Sequence, residues 1–82
     1  MFLAAAQAGS FTLAANDLEV SQSAVSHAIA RLERALGTSV FERRSTGVVL
    51  TDLGRRLHDD VQAGFNRVDR AIDAARDAHR HP

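Results

Sequence analysis

The 82 residues predict a mainly α domain: a three-helix core, a small β-hairpin, then one long helix. Three observations carry that prediction. Apolar residues recur at three or four positions through most of the chain, which is the period of a helix. Capping residues cut the pattern into segments, with Ser10, Ser21 and Thr51 before helical runs and Gly9 and Gly37 after them. Only Val40–Phe41 and Val48–Leu50 read as strands, and turn-forming residues separate them.

Met1 to Ala8 is apolar and alanine-rich, a first helix that Gly9 ends. A second helix is expected from about Phe11 to Leu18. Its Phe11, Ala14, Ala15 and Leu18 share helical spacing and should face the core, and the adjacent alanines would let another helix approach closely. Glu19 and Val20 form the turn, with Val20 turned inward. The third helix is placed at about 22–36, where Val25, Ile29, Leu32 and Leu36 form one buried stripe. Ser23, His27, Ala30 and Arg34 point the other way, flanked by Ser26 and Arg31. In the hairpin, Arg43 to Gly47 is the expected loop. Leu53, Leu57, Val61, Phe65, Val68, Ile72 and Ala75 then cover 22 residues in six steps, a helix of about 28 residues. It divides the chain into a body (1–50), a linker or dimerisation helix (51–78) and a frayed tail (79–82). Gly64 inside that helix costs roughly 1 kcal/mol relative to alanine and marks either close packing or a weak spot.

Composition narrows the function. A chain this short is one domain and marginal alone, so oligomerisation would help it. It has no cysteine, which excludes disulfides and thiolate zinc sites. No apolar run approaches the roughly 20 residues of a membrane span, and the N-terminus lacks a basic segment, so a cytoplasmic protein is expected. The net charge is zero but unevenly spread: residues 1–19 carry −2, residues 20–56 carry +3 and residues 57–82 carry −1. All ten basic residues are arginine. Arginine suits bidentate phosphate contacts, but codon bias in a GC-rich genome is the favoured explanation of the usage.

Two short helices joined by a tight turn, with Gln22, Ser23, Ser26 and His27 on the polar face of the second, have the form of a helix-turn-helix whose second helix lies in the DNA major groove. The hairpin that follows makes it a winged helix-turn-helix. The modest positive charge lies in that region and implies salt-sensitive binding that becomes useful in a dimer.

These residues resemble the DNA-binding domain of the LysR-type transcriptional regulators. The resemblance rests on Phe2, Gly9-Ser10-Phe11, Ala14-Ala15, Leu18, Val20-Ser21-Gln22-Ser23-Ala24-Val25-Ser26, Ile29, Leu32-Glu33, Leu36-Gly37, Phe41-Glu42-Arg43, Leu50-Thr51 and Gly54. It spans about residues 2–57, and the long helix is similar to the family's linker helix. The chain departs from the pattern in carrying Val40 where leucine is usual and in having fewer residues before Phe2. Family members also continue into a large effector-binding domain, which these residues do not include. An excised domain, a truncated product and a partial gene model are the three expectations for that. The long helix directly after the wing, with Phe41 and Arg43, fits this family better than the MarR or ModE types.

Each candidate contact has a plainer alternative. Gln22 would read adenine, and Ser23 and Ser26 a base or a phosphate; the alternative is helix capping and solvation. His27 lies where the family often carries arginine or histidine. It would touch a base edge or a phosphate, and a phosphate partner would make binding strengthen as the imidazole gains its proton. Arg31 and Arg34 reach phosphates or are solvated charge. Arg43 contacts the DNA backbone or bridges to Glu33, and Arg44 is the better wing contact. Thr51 caps its helix and would also touch a phosphate. His58, His79 and His81 lack the spacing of a metal site, so no metal and no other cofactor is expected. Nor does Ser26 beside His27 make a catalytic pair, because consecutive helix residues point about 100° apart.

The expected function is therefore sequence-specific binding of double-stranded DNA with paired half-sites, with no enzymatic chemistry. A homodimer would form through Leu53, Leu57, Val61, Phe65, Val68 and Ile72. A small-molecule inducer would act only through a domain outside these residues. The alternative is an interaction protein that pairs through its long helix with full-length regulators and poisons them.

Overall fold

The computed structural model describes residues 1–80 and has six elements. Helices α1 (Phe2–Ala8), α2 (Phe11–Leu18) and α3 (Gln22–Leu36) are followed by strands β1 (Phe41–Arg44) and β2 (Gly47–Leu50), then by helix α4 (Asp52–Arg80). It is the winged helix-turn-helix with a long trailing helix that the periodicity predicts.

The boundaries follow from the caps. The Ser10 side chain accepts the Leu13 N–H at 3.2 Å, and that of Ser21 accepts the Ala24 N–H at 3.1 Å. Each satisfies one of the amides that a helix start leaves without a partner. Gly9 and Gly37 end α1 and α3 in the left-handed region, at φ 65° and 73°. Glu19 ends α2 at φ 57°, an uncommon conformation for a residue with a side chain. Its amide and that of Val20 turn back onto the last carbonyls of α2, which produces the tight turn into α3.

The core lies between the three short helices and the hairpin. Ala5, Phe11, Ala14, Ala15, Val25, Ile29, Val40, Phe41 and Val48 are buried. The small side chains of Ala14 and Ala15 let α3 lie close to α2. The Phe41 ring meets Phe11 edge-on at 5.5 Å and Phe2 at 5.6 Å between centroids, an arrangement that aromatic quadrupoles favour. The core ends sooner than the sequence stripes imply. Leu18, Val20 and Leu36 are exposed by 41%, 38% and 45%, so each belongs to the surface. The helical period identifies a face, but it does not say how far the neighbouring elements cover it; beside Leu36 the first turns of α4 leave an open cleft.

The hairpin is tighter than predicted. Strands β1 and β2 are antiparallel with Phe41 opposite Leu50, Glu42 opposite Val49, Arg43 opposite Val48 and Arg44 opposite Gly47. The loop is therefore only Ser45–Thr46, and both arginines are strand residues. Val40 precedes the strand. Gly47 takes φ +142°, and its Cα faces the Gly9 carbonyl oxygen so closely that a Cβ would overlap it. The next amide, of Val48, donates to that same oxygen at 3.0 Å. The wing is thus fastened to the α1–α2 corner.

Helix α4 has 29 residues, about 44 Å at 1.5 Å per residue. Only its first turns touch the body, where Leu57 packs against the core. It continues through His79 and Arg80, which the sequence placed in a tail; the remainder of that tail, 81–82, lies outside the described residues. No neighbour approaches the Gly64 Cα, so that glycine serves no close packing within the chain. Among the described residues, no helix is long and apolar enough to cross a membrane.

Candidate nucleic-acid interface

Helix α3 buries Val25 and Ile29 and turns its opposite side outward. Gln22, Ser23, His27, Arg31 and Arg34 are exposed there, and Ser26 is half-buried. The Ser21 cap closes the first turn onto the Ala24 amide, and the side chains of Gln22 and Ser23 lie exposed beside it. No described polar or charged side chain is buried, and this side of α3 is an outward-facing polar surface.

The structure brings the α3 start and the wing together. A cleft of about 240 Å³ is lined by Ser10, Thr12, Gln22, Arg43, Arg44 and Ser45, with Phe11 and the β2 start at its base. The starts of α2 and α3 both border it, and helix N-termini with arginines make an environment suited to anionic oxygens. Thr12 and Ser45 were missed by sequence reasoning. Thr12 was legible in principle, since it sits in the first turn of the leading helix. Ser45 was already expected in the hairpin loop, but its place beside the α3 start depends on how the wing packs.

The two wing arginines differ. The Arg43 guanidinium lies over the Phe11 ring, 5.1 Å from its centroid, a contact that combines charge with the negative face of the ring. Arg44 reaches Glu42 at 3.5 Å with both side chains more than half exposed, a pairing worth little in water. Arg44 is therefore held weakly and Arg43 is partly committed to the scaffold.

Glu33 does not bridge to Arg43. Its Oε2 accepts the Val40 N–H at 2.8 Å and the Phe41 N–H at 3.3 Å. These amides belong to buried residues at the start of the wing and require an acceptor, while Arg43 turns away to Phe11. Thr51 is the cap that the sequence predicts. Its hydroxyl accepts the Gly54 N–H at 3.0 Å and donates to the Ser39 carbonyl at 2.8 Å. Its side-chain proton is thus engaged within the fold.

On α4, Leu53, Phe65, Val68 and Ile72 are 42–55% exposed. Val61 is half-buried. Leu57, also half-buried, packs on the core of its own chain, so it is not simply a residue held out for a partner. Asp73 and Arg76 are 4.0 Å apart on the exposed face. His58 Nδ1 sits 3.4 Å from Asp59 Oδ1. Among the described residues, no group of three His, Cys, Asp or Glu side chains is placed to hold a metal ion.

Residues 1–55 match the family model described as bacterial regulatory helix-turn-helix protein, lysR family. The HTH-type transcriptional activator AmpR of Rhodobacter capsulatus is 48% identical over 73 residues, covering 89% of this chain and 25% of the relative. The HTH-type transcriptional regulator PerR of Escherichia coli is 42% identical over 71 residues, covering 87% and 24%. The chain thus spans about a quarter of the length of the relatives it matches. Among solved structures, the BenM DNA-binding domain in complex with benA site 1 DNA superimposes with a TM-score of 0.84 at 30% identity, covering 94% of this chain and 90% of that one. The CbnR DNA-binding domain in complex with DNA gives 0.80 at 34% identity, covering 94% and 88%.

Proposed function

The chain belongs to the lysR family of bacterial regulatory helix-turn-helix proteins, and from that premise we propose that it recognises specific double-stranded DNA as a dimer. Helix α3 enters the major groove, where Gln22, Ser23, Ser26 and His27 meet base edges. Arg44, with Arg31, Arg34 and in part Arg43, holds the phosphate backbone. The observation that carries this reading is the meeting of the exposed α3 start with the wing arginines around one cleft. Contacts to bases give sequence preference, whereas contacts to phosphates give affinity and salt dependence.

Dimerisation proceeds through α4. Leu53, Val61, Phe65, Val68 and Ile72 form an apolar stripe that the described chain leaves largely uncovered. Pairing it joins two α3 helices, so that two half-sites bind together and the second contact benefits from effective concentration. In this setting the protein regulates transcription in the cytoplasm, and any inducer acts through a domain beyond these residues. The same stripe would equally pair this chain with a longer relative, and mixed dimers would then inhibit that regulator.

The test is fluorescence anisotropy with a pool of duplexes carrying interrupted palindromes. It is run at two salt concentrations, beside a Gln22→Ala/Ser26→Ala variant. The expected result is salt-weakened binding with a duplex preference that the variant loses. Equal binding to every duplex, unchanged in the variant, would overturn base reading by α3.

A further inference from the structure

We propose that Glu33 is a positioning residue for DNA binding: its carboxylate fixes the wing relative to the recognition helix, so that Arg44 reaches the duplex. This rests on the DNA-binding reading above.

Glu33 governs the whole α3–β1 connection. Its backbone carbonyl accepts the amides of Gly37 at 2.8 Å and Thr38 at 3.2 Å. Its side-chain Oε2 accepts those of Val40 and Phe41. Four amides of the connecting segment thus end on one residue of the helix that presents Gln22 and His27. The carbonyls of the same segment are held from the other side. Ser39 O accepts from the Thr51 hydroxyl and Val40 O from the Thr51 amide at 3.0 Å. Ser39–Phe41 is therefore clamped between α3 and the start of α4. Phe41 begins the strand that carries Arg43 and Arg44.

The requirement is for an acceptor at a set reach, not for charge. Among the described residues the ion pairs are Arg44–Glu42, His58–Asp59 and Arg76–Asp73, and none involves Glu33. A glutamine oxygen at the same distance along the side chain can accept both amides. Aspartate keeps the charge but is one methylene short. Alanine leaves both amides without their acceptor, one of them on fully buried Val40.

The test is a binding cycle on the preferred duplex, using Glu33→Ala, Arg44→Ala and the double variant beside Glu33→Gln and Glu33→Asp. Amide exchange at Val40 and Phe41 is followed in each. In the wild-type background Arg44→Ala is expected to weaken binding about fivefold. In the Glu33→Ala background it should cost less than about twofold, because the wing is already displaced. Glu33→Gln should bind within about twofold of wild type and keep both amides protected, whereas Glu33→Asp should lose both properties. A residue that merely supported the fold would give additive losses once the folded fraction is measured by circular dichroism, and that result would overturn the proposal. So would a Glu33→Asp variant that binds like wild type beside a Glu33→Gln variant that does not. If Glu33→Ala fails to fold, the Gln and Asp variants decide the matter. Wild-type protein that prefers no duplex would remove the functional premise on its own, and unchanged exchange in Glu33→Asp would separately defeat the positioning claim.

Discussion

Gly54 lies directly against the backbone of Val40: a Cβ on Gly54 would overlap the Val40 carbonyl oxygen. Neither partner is free to move. Val40 is fully buried and its oxygen accepts the Thr51 amide, while the Gly54 amide is held by the Thr51 hydroxyl. Glycine is required here by space, since no positive φ is involved.

Gly54→Ala should therefore lose about 3 kcal/mol of stability, the upper part of the range for overpacking. Urea unfolding followed by circular dichroism measures it. A variant as stable as wild type would show that α4 and the segment before β1 are not in this contact.

Gly47 is constrained twice, by its φ of +142° and by the Gly9 oxygen. Gly47→Ala should destabilise by about 2 kcal/mol and release the wing from the α1–α2 corner. The local readout is hydrogen exchange of the Val48 amide, which donates to Gly9; protection there should fall further than in α3.

Leu57 and Phe65 share the α4 stripe but differ in surroundings. Leu57→Ala removes contacts with the core and should cost about 1–2 kcal/mol of stability. Phe65 is 55% exposed, so Phe65→Asp should leave the helical body intact and shift the protein to monomer in sedimentation equilibrium. A dimer surviving Phe65→Asp and Val68→Asp together would argue against pairing through this stripe.

Arg44 and Arg43 should separate by assay. Arg44→Ala is expected to lower the salt slope of DNA binding by about one contact and leave the thermal midpoint unchanged. Arg43→Ala should lower stability by about 0.5–1 kcal/mol through loss of the Phe11 contact. Equal effects of the two on the midpoint would contradict the different settings of their side chains.

Much of this architecture was legible along the chain. The helices, their serine caps and the ends at Gly9 and Gly37 depend on hydrogen bonds spanning three or four residues, and sequence reports that range well. The outward side of α3 followed from its buried side, because Val25 and Ile29 leave Ser23, His27 and Arg34 opposite them. The strand identity of Arg43 and Arg44 was hidden, because the β ladder is satisfied by backbone groups whatever charge the side chains carry.

The sequence by itself determined the order of the helices, the polar outward side of α3 and the apolar stripe of α4. Tertiary structure decided where Glu33 spends its carboxylate, that the Thr51 hydroxyl also holds the Ser39 carbonyl, and how far the core extends toward Leu18 and Leu36. It also decided that Gly54 and Gly47 have no room for a side chain. The physical reason is the range of the interactions. Helical period and capping are set by residues within one turn of each other. The contacts of Glu33 with Val40, Gly54 with Val40 and Gly9 with Val48 join separate elements, and their partners are chosen only when those elements pack.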